Sequence, residues 1–126
     1  YPKLGSLHVT YNRSASLKKV LITIQNSKWR YFRFVLVDNA SSDSSSTVIQ
    51  SFQVPLKLEV LTLKENLGHG AGIAYGLDEF LKGEQIDYVV FMEDDSVPDA
   101  GYLEFLIEKI QMKSFSRQTL PFLMVR

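Results

Sequence analysis

The chain has 126 residues, of which 45% are hydrophobic and 22% charged, and its fourteen basic residues balance fourteen acidic ones. That length suits one domain with a sizeable core, and net neutrality excludes a global field that would recruit nucleic acid or an anionic membrane. The absence of cysteine excludes disulfides and thiolate metal sites, and no apolar run reaches the length of a membrane span.

Short apolar runs alternate with helical periodicity, which argues for crossover units, a mostly parallel sheet and the α/β class. Residues 7–10 read as the first strand. Leu17, Val20, Leu21 and Ile24 then recur at helical spacing, with Ser14 or Ser16 available as a cap. Residues 32–37 read as a second strand whose later part is continuously apolar, as a strand buried on both faces should be. Ser41, Ser42 and Asp43 offer caps for a helix that buries Val48, Ile49 and Phe52. Leu56, Leu58 and Val60 alternate as a third strand, more exposed and nearer an edge. A glycine-rich turn over residues 66–72 leads into a helix expected to bury Ile73, Leu77, Phe80 and Leu81, which Gly83 ends. Residues 88–92 read as the fourth strand. Asp99 caps a last helix with the stripe Leu103, Leu106, Ile107 and Ile110, and residues 120–125 read as a further strand. The chain opens on Tyr1 and stops on Arg126 after an apolar run, so both ends are expected to be cuts in something longer.

With right-handed crossovers the natural strand order is 3-2-1-4, and the order reverses between strands 1 and 4. Open sheets of this kind bind ligands in that crevice, outside the carboxyl ends of the strands. The polar segments fall at that edge: Thr10-Tyr11-Asn12-Arg13 after strand 1, Asp38-Asn39-Ala40-Ser41 after strand 2, Asn66-Leu67-Gly68-His69-Gly70 after strand 3 and Glu93-Asp94-Asp95 after strand 4. Three consecutive carboxylates repel one another unless a cation or hydrogen-bond donors compensate them. An oxygen-only set suits magnesium or manganese, which bring substrate phosphates with them. The competing reading is a solvated loop whose acids face a helix start.

Asp38-Asn39 is equally a good turn pair or a rim carboxylate for a base or ribose. Gly68, Gly70 and Gly72 stand where backbone amides could approach a phosphate, but their spacing is neither a dinucleotide fingerprint nor a P-loop. Tyr11 either stacks on a base or roofs the core, and Arg13 either reaches a phosphate or is solvated. His8, inside an apolar strand, reads as a hydrogen-bonded core residue. His69 has no second histidine or cysteine near it with which to build a zinc site.

Together, Val9-Thr10-Tyr11-Asn12-Arg13, Val37-Asp38-Asn39-Ala40-Ser41-Ser42-Asp43, Asn66-Leu67-Gly68-His69-Gly70-Ala71-Gly72 and Met92-Glu93-Asp94-Asp95 resemble the family 2 glycosyltransferases of the GT-A fold. The nearest flavour is the rhamnosyl- and galactofuranosyl-transferase-like branch, over roughly residues 5–105. The resemblance implies a Rossmann-like open sheet with helices on both faces, cut short after the helix that follows the D-x-D motif. It implies a single nucleotide-sugar-binding domain over residues 1–126 and a UDP- or dTDP-linked sugar as donor. A saccharide or other hydroxyl compound would be the acceptor, and Mn2+ or Mg2+ the cofactor.

By position, Thr10 and Tyr11 would line the nucleotide pocket, Asp38 would bind the base, and Asn66 and Gly68 would stand near the ribose and diphosphate. Asn12, Asn39, Glu93 and Asp94 complete the expected nucleotide-sugar site. Asp95 and Glu93 would hold the metal, Glu93 being a departure that moves its carboxylate one methylene outward. The general base of inverting members lies in the half that follows, so Glu104 and Glu108 are not assigned that role. A non-catalytic glycosyltransferase-like module is the alternative. A receiver domain would need an acidic pair after strand 1, and a nucleotidyltransferase a glycine-rich basic loop there; the chain has neither. A cytoplasmic location is expected, with any peripheral membrane association made by parts beyond this chain, and oligomerisation is left open.

Overall fold

A computed structural model describes residues 3–26, 33–92, 108 and 122–125. The elements run β1 (Leu4–Thr10), α1 (Ser14–Gln25), β2 (Arg33–Asp38), α2 (Ser45–Leu56), β3 (Glu59–Thr62), α3 (His69–Phe80), β4 (Tyr88–Met92) and β5 (Phe122–Val125). They form one sheet in the order β3-β2-β1-β4-β5, and every neighbouring pair is parallel. The expected order 3-2-1-4 is observed, and the last apolar run adds a strand beside β4. Phe32 and the expected helix of Asp99, Leu103, Leu106, Ile107 and Ile110 lie outside the described residues.

Alternation along β1 divides the core in two. Leu4 packs with Leu17, Val20, Leu21 and Ile24 of α1 and with Ile49 of α2 on one face. Leu7 and Val9 pack with Ile73, Leu77 and Phe80 of α3 on the other. Val35 and Val37 join the second cluster while Phe34 and Leu36 join the first, which is why β2 reads as a continuous apolar run. Leu17, Val20 and Leu21 are completely buried, and each such side chain contributes about 1.5–3 kcal/mol of transfer free energy.

Four local expectations are corrected. β1 begins at Leu4 rather than residue 7, because pairing with both β2 and β4 holds Gly5 and Ser6 extended despite their weak strand preference. Leu56 closes α2 instead of opening a strand. Pro55 removes a single hydrogen bond in the last turn, and the helix then stops through Lys57 at φ 53, with Leu58 N–H donating to Gln53 O. Gly70 and Gly72 lie inside α3, not in a turn before it. Leu81 is 84% exposed because α3 ends at Phe80, which is buried against the sheet. Gly83, at φ 74, makes the turn expected after that helix.

Two α3 glycines bring the helix close to the sheet. A Cβ at Gly72 would stand 2.6 Å from Val9 Cγ1, and one at Gly76 would overlap Leu7 Cδ1. A third close approach occurs at Gly5, where a Cβ would meet the Phe80 ring at 2.5 Å. Behind that ring, the Arg33 guanidinium sits 5.2 Å from its centroid. Arg33 grips Glu59 with Nε at 2.9 Å and Nη2 at 2.6 Å, and donates to the carbonyls of Glu79, Phe80, Lys82 and Glu84. It thereby brings donors and a positive charge to the C-terminal end of α3 and the turn after it.

Candidate functional site

The register brings Thr10, Asp38 and Thr62 level at the carboxyl edge of β1, β2 and β3. Met92, at the end of β4, stands level with His8. The order reverses between β1 and β4, so these ends frame the crevice in which open α/β sheets take ligands.

Asp38 is 4% exposed. Its Oδ1 accepts from Ser41 N–H at 3.0 Å, closing a turn in which Ala40 has φ 66. Asp38 Oδ2 has no hydrogen-bond partner among the described residues, and it is not among their sealed, unpartnered polar atoms, of which Ser6 Oγ is the one instance. A carboxylate oxygen therefore remains available at this edge.

Asn39, 2% exposed, ties three segments together. Its backbone N–H donates to Thr10 O at 2.9 Å, its Nδ2 donates to Gly68 O at 2.9 Å, and its Oδ1 accepts from Leu67 N–H at 3.1 Å. Asn66 Oδ1 accepts from Gly68 N–H at 2.9 Å, and Gly68, at φ 93, turns the chain into α3, whose N-terminus no side chain caps.

Asn12 makes the second tie, at φ 50. Its Oδ1 accepts from Ser42 N–H at 2.7 Å and Asp43 N–H at 3.2 Å, while its own N–H donates to Ser41 Oγ at 2.9 Å. Asp43 serves two helices. Its Oδ2 accepts from Ser14 N–H at the start of α1, and its Oδ1 accepts from the N–H and hydroxyl of Ser45 at the start of α2. The Ser45 hydroxyl bond, with the Ser45 and Ser14 donors behind it, holds the Asp43 carboxyl below its ordinary range. Ser14 and Ser16 are thus not the cap of α1; a side chain from the next loop is.

Thr10 is buried, Tyr11 is 44% exposed, and Arg13 and His69 are exposed. His8 is fully buried with Nδ1 3.0 Å from Met92 O, a hydrogen-bonded core residue as the sequence suggested. Thr10, Asp38, Asn39, Asn66 and Gly68 stand together, while the Asn12 and Asn39 side-chain oxygens bind loop backbone. Ser41, read from the sequence as a helix cap, instead fastens the rim of the site, while Asp43 serves the start of α2 as expected and that of α1 as well. Their signal was the density of Asx and serine residues where two strand-to-helix turns meet.

No three His, Cys, Asp or Glu side chains converge on a possible ion position among the described residues. Glu93, Asp94 and Asp95, which follow directly on β4, lie outside them. No helix among the described residues is long and apolar enough to cross a membrane.

The family profile described as "Glycosyl transferase family 2" matches residues 8–115. The chain is 31% identical over 110 residues to the GalNAc(5)-diNAcBac-PP-undecaprenol beta-1,3-glucosyltransferase of Campylobacter jejuni, an alignment spanning 86% of this chain and 34% of that protein. The fold superimposes on S. aureus TarS 1-349 in complex with UDP-GlcNAc with a TM-score of 0.75 at 21% identity, covering 87% of this chain and 31% of the other. It also superimposes on the mannosyltransferase PcManGT from Pyrobaculum calidifontis in complex with GDP-Man and Mn2+, with a TM-score of 0.70 at 20% identity, covering 86% and 32%. The chain spans about a third of the length of each of these proteins.

Proposed function

The chain belongs to glycosyl transferase family 2, and from that premise we propose that it is the donor-binding domain of a glycosyltransferase, taking a nucleoside-diphosphate sugar at the carboxyl edge of its sheet. The observation that carries this reading is the bonded unit of Thr10, Asp38, Asn39 and residues 66–68 at the strand-order reversal, with one Asp38 oxygen left available. In this reading Asp38 Oδ2 accepts an N–H of the base, Tyr11 covers the base, and residues 66–68 lie along the ribose and diphosphate. The uridine nucleotide of the TarS complex supports a UDP-linked donor, with dTDP as the next candidate.

Glu93 and Asp95 would hold the divalent ion. Their oxygen donors suit Mg2+ or Mn2+, and Mn2+ accompanies the nucleotide sugar in PcManGT. When bound, such an ion neutralises charge on the departing nucleoside diphosphate. The reaction is inverting: the acceptor hydroxyl is deprotonated by a carboxylate supplied beyond this chain and attacks the anomeric carbon opposite the leaving group. Residues 1–126 form one domain that supplies the leaving-group half of that reaction.

Calorimetric titration of UDP into the chain with Mn2+, then with chelator, tests the proposal. The expected result is binding that needs the ion and is lost in Asp95→Ala. Absence of heat with both UDP and dTDP, on a chain shown to be folded, would reject it in favour of a non-catalytic module.

A further inference from the structure

Asn39 stands at the rim of the nucleotide site but is shaped as an internal brace. Only 2% of it is exposed, and both ends of its side-chain amide already serve residues 67 and 68. Its backbone N–H holds the end of β1 through Thr10 O. Asn39 therefore joins β1, β2 and the turn that opens α3, while its neighbour Asp38 carries the available carboxylate oxygen. Residues 66–68 receive no comparable support from their own side. Lys64, Glu65, Asn66, Leu67 and Gly68 are all exposed, and a Cβ at Gly68 would meet nothing within 4 Å. The Asn66 bond to Gly68 N–H is internal to the turn. Among the described residues, Asn39 ties this turn to the end of β2 through two side-chain bonds.

We propose that Asn39 is a positioning residue: its amide fixes the turn of residues 66–68 against Asp38, and donor affinity depends on it although it does not touch the nucleotide. This rests on the reading that this edge binds a nucleoside diphosphate. An asparagine suits this place because the turn presents one N–H and one carbonyl, which the two ends of its neutral amide answer at once. An aspartate in its place would still accept from Leu67 N–H but would set a carboxylate oxygen against Gly68 O. Small misplacements at such a site are costly, a shift of about 1 Å being worth about 10²-fold in rate.

The test combines UDP titration in Mn2+ with amide hydrogen exchange on the ligand-free 126-residue chain, for wild type, Asn39→Asp and Asn39→Ala. Val35 N–H, in the buried β2, reports global opening. The expected result is a loss of UDP affinity of at least about tenfold in both variants. In ligand-free Asn39→Ala, Leu67 N–H should also exchange at least about tenfold faster relative to Val35 N–H. Should either variant have unfolded, the Val35 amide would reveal it, and Asn39→Gln, which keeps both amide functions one methylene further out, replaces that variant with the same two expectations. Unchanged affinity with a freed Leu67 amide overturns the proposal. Lost affinity with the Leu67 amide still protected also overturns it, since Asn39 would then act on the nucleotide directly. Failure of the folded wild-type chain to bind UDP overturns the functional reading, and this proposal with it.

Discussion

Asp38 shows how one residue answers two demands at the edge of a sheet. Its Oδ1 closes the turn through Ser41 N–H, and its Oδ2, without a partner among the described residues, is the acceptor that the proposed function assigns to the base. Asp38→Asn retains an acceptor for the turn while losing the charge. It is expected to weaken UDP by about ten- to a hundredfold, in line with the 1.5–3 kcal/mol typical of a hydrogen bond to a charged group; titration alongside a urea unfolding curve separates this from a folding defect. Ser6 makes the opposite case. Its hydroxyl is fully buried in β1 with no partner among the described residues, and an unsatisfied buried polar group costs about 1–3 kcal/mol. Ser6→Ala is therefore expected to raise stability by about 1 kcal/mol, seen as a higher urea midpoint at unchanged slope. The polar residues at the strand ends were legible as a group, because a parallel sheet collects such residues at one edge. The division of labour among them was not: which of Asn12, Asp38 and Asn39 is taken up by backbone depends on what the neighbouring loops present to each.

At the scale of elements, helix starts and ends rest on side chains from distant segments. Asp43 caps α1 and α2 together, so its carboxylate links two helices through one charge. Because the folded state holds its pKa below the unfolded value, the charged form favours folding. That contribution is complete above the unfolded value, near pH 4, and is lost as pH falls through the lower folded value. Urea midpoints of Asp43→Asn and wild type should accordingly differ at pH 7 and converge as the pH falls toward 2. Arg33 performs the reciprocal task at the end of α3. Its side chain is 9% exposed, and it pairs with Glu59 while donating to four carbonyls; the Glu59 bond raises its already high pKa. Arg33→Met removes the partner of Glu59 and one donor from each of those carbonyls, of which only that of Glu79 is shown to keep a backbone donor, Lys82 N–H, and is expected to cost about 3 kcal/mol in chemical denaturation. Lys57, at φ 53, stands in a conformation that disfavours a side chain by about 1 kcal/mol. Lys57→Gly should stabilise the end of α2 by about 0.5 kcal/mol once the greater freedom of the unfolded glycine is counted.

At the scale of the molecule, the candidate site arises because five parallel strands end on one side and the strand order reverses between β1 and β4. A ligand seated there touches loops from opposite halves of the sheet and should stabilise the whole fold. UDP with Mn2+ at a hundred times its dissociation constant is expected to add about 2.7 kcal/mol to unfolding, measured as a shift in urea midpoint that chelator reverses. The sequence by itself determined the alternation of strands and helices and the parallel order 3-2-1-4, because apolar periodicity and the right-handed crossover leave few arrangements for such a pattern, and its four strand-end motifs carried the family resemblance. It also placed Thr10, Asp38, Asn66 and Gly68 at one edge. Only the tertiary structure decided that Gly72 serves close packing against Val9 rather than a phosphate turn, and that Gly76 packs likewise against Leu7. It alone extended β1 back to Leu4, carried α2 past Pro55, and gave Arg33, Asn39 and Asp43 their partners. Those partners lie 26 to 51 positions away for Arg33, 28 and 29 for the Asn39 side chain, and 29 for the Asp43 bond to Ser14. Periodicity reports which face of an element is buried, but a hydrogen bond between remote loops is fixed by where the strands set those loops down.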